Sequence, residues 1–155
     1  MSHSFNQTFY IGGHKVGVKQ PPFFIAELSG NHNQSLKTAL ELVDAAAEAG
    51  ANAIKLQTFT ADTLTIHSKG EEFYINDPKS PWHKKNLWDL YSEASTPWDW
   101  HEKIFEHARA LGLACMSSAF DLSSINFLIN LGVDALKISS FECIHIPLIE
   151  AAVNR

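Results

Sequence analysis

Two lysines sit inside apolar, strand-like runs, and that placement constrains this chain more than any other feature. The runs are Ala53-Ile54-Lys55-Leu56-Gln57-Thr58 and Ala135-Leu136-Lys137-Ile138-Ser139-Ser140. Side chains alternate between the two faces of a strand, so Lys55 and Gln57 share one face while Ile54 and Leu56 share the other. Lys137 stands in the same relation to Leu136 and Ile138. A lysine on the inner face of a buried strand costs free energy unless an anion meets it. A single strand-end lysine commonly snorkels to solvent. Two of them with matching apolar flanks point instead to one small anion held between strand ends.

The rest of the chain repeats the pattern. Phe23–Ser29 is an apolar run carrying Glu27 near its end, and Leu113–Ser118 ends in two hydroxyls. Helical periodicity fills the intervals. Ser35 reads as an N-cap, followed by Leu36, Ala39, Leu40, Val43, Ala46 and Ala47, with Gly50 as a stop. A second helix starts at Thr96-Pro97 and stops at Gly112. A third starts at Asp121 and ends near Gly132, and a fourth begins around Pro147. Asn86–Ala94 reads as a further short helix. Strand and helix alternating four times imply an α/β fold with a parallel sheet.

Ahead of this series, residues 5–18 place Gly12-Gly13 between two short apolar stretches, the pattern of a β-hairpin. Pro21-Pro22 then separates it from the first parallel strand. Residues 1–20 therefore form an N-terminal extension expected to cover one end of the sheet, and 21–155 form the α/β domain. Thr60–Trp82 has no sustained periodicity and reads as a long strand-to-helix loop, a kind of segment that is often functional.

The 155 residues suffice for one domain with a real core but fall short of a complete eight-fold barrel, which needs about 250. A net charge of −5 and the lack of a basic stripe argue against a nucleic-acid surface. No signal peptide or transmembrane run is evident, so a cytoplasmic location and no membrane partner are expected. Cys115 and Cys143 lie in apolar company near strand ends and read as buried reduced thiols. His101 and His107 read as surface or packing residues of a helix, and Trp82, Trp88, Trp98 and Trp100 as packing anchors.

Ligands of parallel α/β folds bind at the C-terminal ends of the strands. Those ends carry Glu27, Asn31 and His32, then Lys55, Gln57 and Thr58, then Ser117, Ser118 and Asp121, then Lys137, Ser139, Ser140 and Glu142. Lysines neutralise phosphate or carboxylate, and hydroxyls donate to the same oxygens. Carboxylates beside them serve as acid, base or acceptor for sugar hydroxyls. The set suits a phosphorylated or carboxylated substrate meeting a polyol. Asn31-His32 is equally readable as plain loop.

Four of these segments resemble the signatures of the sialic acid synthase family. They are Ile25-Ala26-Glu27-Leu28-Ser29-Gly30-Asn31-His32, Gly50-Ala51-Asn52-Ala53-Ile54-Lys55-Leu56-Gln57-Thr58, Ser117-Ser118-Ala119-Phe120-Asp121 and Lys137-Ile138-Ser139-Ser140-Phe141-Glu142. They occur in family order, over about residues 20–150. Leu87–Tyr91 and Thr96–His101 resemble the pseudaminic acid synthase branch more than the N-acetylneuraminate branch. Ala119 stands where the family commonly has proline.

The resemblance implies the first half, four βα units, of a TIM-type (β/α)8 barrel. It implies condensation of phosphoenolpyruvate with the aldehyde of an acetamido sugar, giving a nine-carbon 2-keto acid and phosphate, assisted by a divalent metal such as Mn²⁺ or Mg²⁺. By motif match, Lys55, Ser118, Lys137 and Ser140 would grip phosphoenolpyruvate. Glu27 and Gln57 would contact the sugar, and Glu142 would lie at the reacting centre, so Glu27 and Glu142 are the candidate catalytic carboxylates. The family's metal-binding histidines and sugar-binding arginine come from parts with no counterpart here, so no metal ligand is assigned in this chain, and it is expected to be an incomplete, inactive synthase. A non-catalytic anion-binding or assembly module, or another phosphoenolpyruvate-dependent aldose synthase, is the alternative. Open strand edges make a homo-oligomer the expected state.

Overall fold

The computed structural model describes residues 8–154. Strands β1 (Thr8–Ile11) and β2 (His14–Gly17) pair antiparallel, with Ile11 opposite His14. The turn between them has φ of +53° at Gly12 and +82° at Gly13. That conformation suits a two-residue hairpin turn and is open to glycine at little cost. The hairpin read from residues 5–18 is present from Thr8 onward; residues 5–7 lie outside the described part.

A four-stranded parallel sheet follows, in the order β3 (Ile25–Glu27), β4 (Ala53–Thr58), β5 (Ala114–Ala119) and β6 (Ala135–Ile138). Between the strands run α1 (Leu36–Glu48), the excursion with α2 (Ala61–Leu64) and α3 (Leu87–Ala94), then α4 (Trp98–Ala110) and α5 (Leu122–Asn130). Helix α6 (Ile146–Val153) comes after β6. The α/β alternation with a parallel sheet is as the sequence pattern requires.

The helix ends follow local chemistry. Ser35, Asn86 and Asp121 side chains accept backbone N–H groups at the starts of α1, α3 and α5, satisfying donors that a helix leaves unpaired. Gly50, Gly112 and Gly132 have positive φ just beyond α1, α4 and α5, the C-terminal signature of a helix.

Strand alternation divides the core. Ile54, Leu56, Cys115 and Ala119 face the helices and pack with Val43, Ile104, Phe105, Ile125, Leu128 and Leu148. On the other face Ala53, Ala114 and Met116 form a smaller cluster with Ile11 and Phe23. The hairpin therefore covers the N-terminal end of this second face, as its position in the sequence suggested. The approach is close: a Cβ added at Gly12 would sit 2.5 Å from the Ala114 Cβ.

The structure differs from the sequence pattern at several places. The first parallel strand is Ile25–Glu27 rather than Phe23–Ser29, and the fourth stops at Ile138. Both are edge strands, with one neighbour each among the described residues. The Thr60–Trp82 loop contains α2 and a 3₁₀ turn at Glu71–Phe73. Cys115 is buried but Cys143 is exposed, because the chain leaves the sheet before reaching it. Trp82 is half exposed rather than an anchor, whereas Trp98 stacks on Phe127 and Trp88 on His67.

Candidate functional site at the strand ends

The face opposite the helices carries the polar residues. Glu27 of β3 is the register partner of Lys55 on β4. One pleat higher, Gln57, Ser118 and Lys137 align across β4, β5 and β6. Register partners project to the same side of a sheet, so these five residues share one surface. Two strand spacings of about 4.8 Å put the Lys55 and Lys137 backbones on the order of 10 Å apart across the sheet. That is within reach of two extended lysines converging on one small molecule.

Lys55 is only 5% exposed. Its Nζ lies 3.2 Å from Oε1 of Glu27, whose own side chain is largely in solvent. An ammonium has three donors, and one exposed carboxylate leaves capacity for another acceptor. Ser118 is wholly buried, yet its Oγ has no hydrogen-bond partner. Buried polar atoms are nearly always paired, so an orphan hydroxyl beside a lysine-bearing strand marks a position suited to a ligand oxygen. Among the described residues, Glu142 Oε2 is the other buried side-chain oxygen without a partner, in the turn after β6.

The last strand end divides the remaining hydroxyls. Lys137 Nζ donates to Ser139 Oγ at 3.2 Å, as the period of two predicts for residues two apart. Ser140, singled out by the family resemblance, lies past the strand and is exposed. Thus Glu27, Lys55, Gln57, Ser118 and Lys137 are brought onto one face, Glu142 sits nearby in sequence with one oxygen unpaired, and Ser140 lies outside this set. A cavity of about 470 Å³ also opens within the excursion, lined by Glu71, Tyr74, Asn76 and Lys84. No sequence pattern marked these residues, because the segment lacks periodicity.

His32 is committed elsewhere. Its Nδ1 accepts the Gln34 N–H at 3.2 Å, which leaves Nε2 to donate to Thr96 Oγ1 at 3.0 Å. The ring is wholly buried, and burial holds its pKa below the usual histidine value. His101 is also wholly buried, the packing alternative of its sequence reading: Nδ1 lies 3.2 Å from the Pro97 carbonyl and Nε2 2.9 Å from Thr58 Oγ1. His107 pairs with Asp44 across α1 and α4 at 2.6 Å. Among the described residues no three His, Cys, Asp or Glu side chains come together as a metal site, and no helix is long and apolar enough to cross a membrane.

The fold and this face define a parallel α/β protein whose strand ends present two lysines, a buried hydroxyl and a carboxylate to one side. Comparison with known proteins makes the class specific. The chain belongs to the NeuB family, which it matches over residues 42–155. It is 45% identical over 135 residues to the pseudaminic acid synthase of Helicobacter pylori, covering 87% of this chain and 39% of that enzyme. It is 40% identical over 141 residues to the N,N'-diacetyllegionaminic acid synthase of Legionella pneumophila, covering 90% of this chain and 38% of that one. Among solved structures it superposes on the N-acetylneuraminic acid synthetase of Leptospira borgpetersenii, crystallised with citrate, with a TM-score of 0.79 and 29% identity, covering 99% of this chain and 48% of that one. The chain thus spans less than half the length of these relatives.

Proposed function

We propose that this chain is the anion-binding part of a phosphoenolpyruvate-dependent synthase that makes a nine-carbon 2-keto sugar acid, with pseudaminic acid as the product class. The single observation that carries the reading is the row Gln57, Ser118 and Lys137 set one pleat above the Glu27–Lys55 pair, with the Ser118 hydroxyl buried and unpartnered. The four strands correspond on this reading to the first half of a (β/α)8 barrel, and the setting is the cytoplasm.

In the reaction the enol carbon C3 of phosphoenolpyruvate attacks the sugar aldehyde and forms the new C–C bond. Water adds at C2, and the tetrahedral intermediate expels inorganic phosphate to leave the keto acid. Lys55 and Lys137 neutralise the phosphate and carboxylate, and Ser118 donates to one of their oxygens. Ser140 would have to turn inward from its exposed position to join them. Gln57 and Glu27 hold sugar hydroxyls, with Glu27 restrained by Lys55. Glu142 orients the reacting groups or moves a proton at the new alkoxide.

A divalent metal would polarise the aldehyde in such a reaction. The residues here do not fit a metal centre. Both ring nitrogens of His32 and of His101 are engaged internally, and no three metal-ligating side chains converge among the described residues. These 155 residues by themselves are therefore expected to bind the anion without turning over.

Titration calorimetry with phosphoenolpyruvate and with inorganic phosphate tests the reading. The parent should bind both, and Lys137→Ala should bind at least about tenfold more weakly, the scale of one charged hydrogen bond. Equal binding by the two proteins would overturn the site.

A further inference from the structure

A buried relay of polar groups lies directly behind the proposed anion site, on the helix side of the sheet. Ser117 Oγ is 2.7 Å from Thr58 Oγ1, and Thr58 Oγ1 is 2.9 Å from His101 Nε2. His101 Nδ1 is 3.2 Å from the Pro97 carbonyl at the start of α4. All three side chains are fully buried. A carbonyl only accepts, so Nδ1 carries the imidazole proton and Nε2 accepts. Thr58 therefore donates to His101, and Ser117 donates to Thr58. The directions are consistent along the whole chain, and each bond reinforces the next in a low-dielectric setting.

Thr58 follows Gln57 in β4, and Ser117 precedes Ser118 in β5. Alternation sends the relay residues to one face and their neighbours to the other. Gln57 and Ser118 are themselves register partners. The relay thus ties together, from behind, the two strand tips that present Gln57 and Ser118 in front. It also anchors them to α4, where the ring makes edge contacts with Phe105 of the same helix and Phe127 of α5. None of the three side chains reaches the site face.

We infer that His101, through Thr58 and Ser117, is a positioning residue that sets the relative height and orientation of Gln57 and Ser118 at the anion site. The inference rests on the anion-binding reading for its consequence, but its structural core does not. A buried hydroxyl bridging two strands is more than a filler: replacing it by an isosteric methyl leaves His101 Nε2 without a partner and leaves Ser117 Oγ only the longer 3.4 Å contact to the Ser118 carbonyl, and among the described residues β4 and β5 lose the side-chain hydrogen bond that joins their tips on that face.

The test uses Thr58→Val, Thr58→Ser and His101→Gln, read in two ways. The first is amide hydrogen exchange at Gln57, Ser118 and Ala119, with the melting transition recorded to confirm folding. The second is inorganic phosphate affinity by calorimetry. Thr58→Val should speed exchange at these tips and weaken phosphate binding by about tenfold, the scale of leaving buried polar groups unpaired. Thr58→Ser keeps the hydroxyl and should restore both to within about twofold of the parent. His101→Gln offers an amide oxygen to Thr58 and supplies a second folded variant, expected between the two. If Thr58→Val leaves exchange at the tips unchanged, the positioning role is overturned. If exchange changes while phosphate affinity does not, the relay does not serve the site and the inference is equally overturned. If the parent itself fails to bind phosphate, the anion-site reading falls, and the exchange arm still decides whether the relay positions the strand tips.

Discussion

Acid should destabilise this protein through His101, and the size of the effect follows from the ring's surroundings. The imidazole is wholly enclosed by the β4 and β5 tips, α4 and Phe127 of α5, and burial pulls its pKa from 6.5 down to about 4. The backbone carbonyl at Pro97 and the Asp99 carboxylate favour the charged form but do not offset the loss of hydration, and His32 opposes it. The folded state therefore binds a proton less readily than the unfolded chain. Stability attributable to His101 is complete above pH 6.5 and is lost as pH falls from there to about 4. At roughly 1.4 kcal/mol per pH unit, this amounts to about 3 kcal/mol, a large share of a typical domain's ~5–15 kcal/mol. Urea unfolding of the parent and of His101→Gln between pH 7.5 and 4 isolates the effect, because His32 and the carboxylates titrate in both proteins. The parent's stability relative to the variant should fall by about 3 kcal/mol over that range. A difference that stays constant with pH, or an NMR titration midpoint for His101 near 6.5, would refute the burial argument.

Three further expectations come from other parts of the molecule. Gly12→Ala must place a Cβ 2.5 Å from that of Ala114 at a φ of +53°, so it should lower the unfolding free energy measured in urea by more than the ~1 kcal/mol of a simple glycine substitution. In native protein a thiol reagent should modify Cys143 within minutes and Cys115 only on unfolding, since Cys115 is buried with its pKa pushed up to about 11; two equally fast thiols would contradict the packing of β5. The β3 and β6 edges are open, and an apolar groove of about 320 Å³ lined by Val133, Leu136, Ile138 and Ile149 runs beside β6. Light scattering at low micromolar concentration should therefore show association, and a well-folded monomer with cooperative unfolding would refute it.

Much of the architecture is written in local sequence. A period of two in Ala53–Thr58 and Ala135–Ile138 puts Lys55, Gln57 and Lys137 opposite the apolar residues whatever the rest of the chain does, because pleating is a property of the strand itself. Ser35, Asn86 and Asp121 mark helix starts, and Gly50, Gly112 and Gly132 mark helix ends, because capping is satisfied within a few residues. The Gly12-Gly13 turn is legible for the same reason.

What the sequence left open is decided by which segments meet. His32 reads equally well as loop or ligand until Thr96, 64 residues away, claims one ring nitrogen. His101 reads as an ordinary helix residue until β4 and β5 bring Thr58 and Ser117 to it, and that enclosure lowers its pKa to about 4. Ser139 rather than Ser140 bonds Lys137 because the strand ends at Ile138 and the chain turns away. Local periodicity determines the face a side chain occupies, since it depends on one residue's neighbours in the chain. Partner, burial and protonation depend on distant segments arriving at the same place, and only the tertiary structure brings them there.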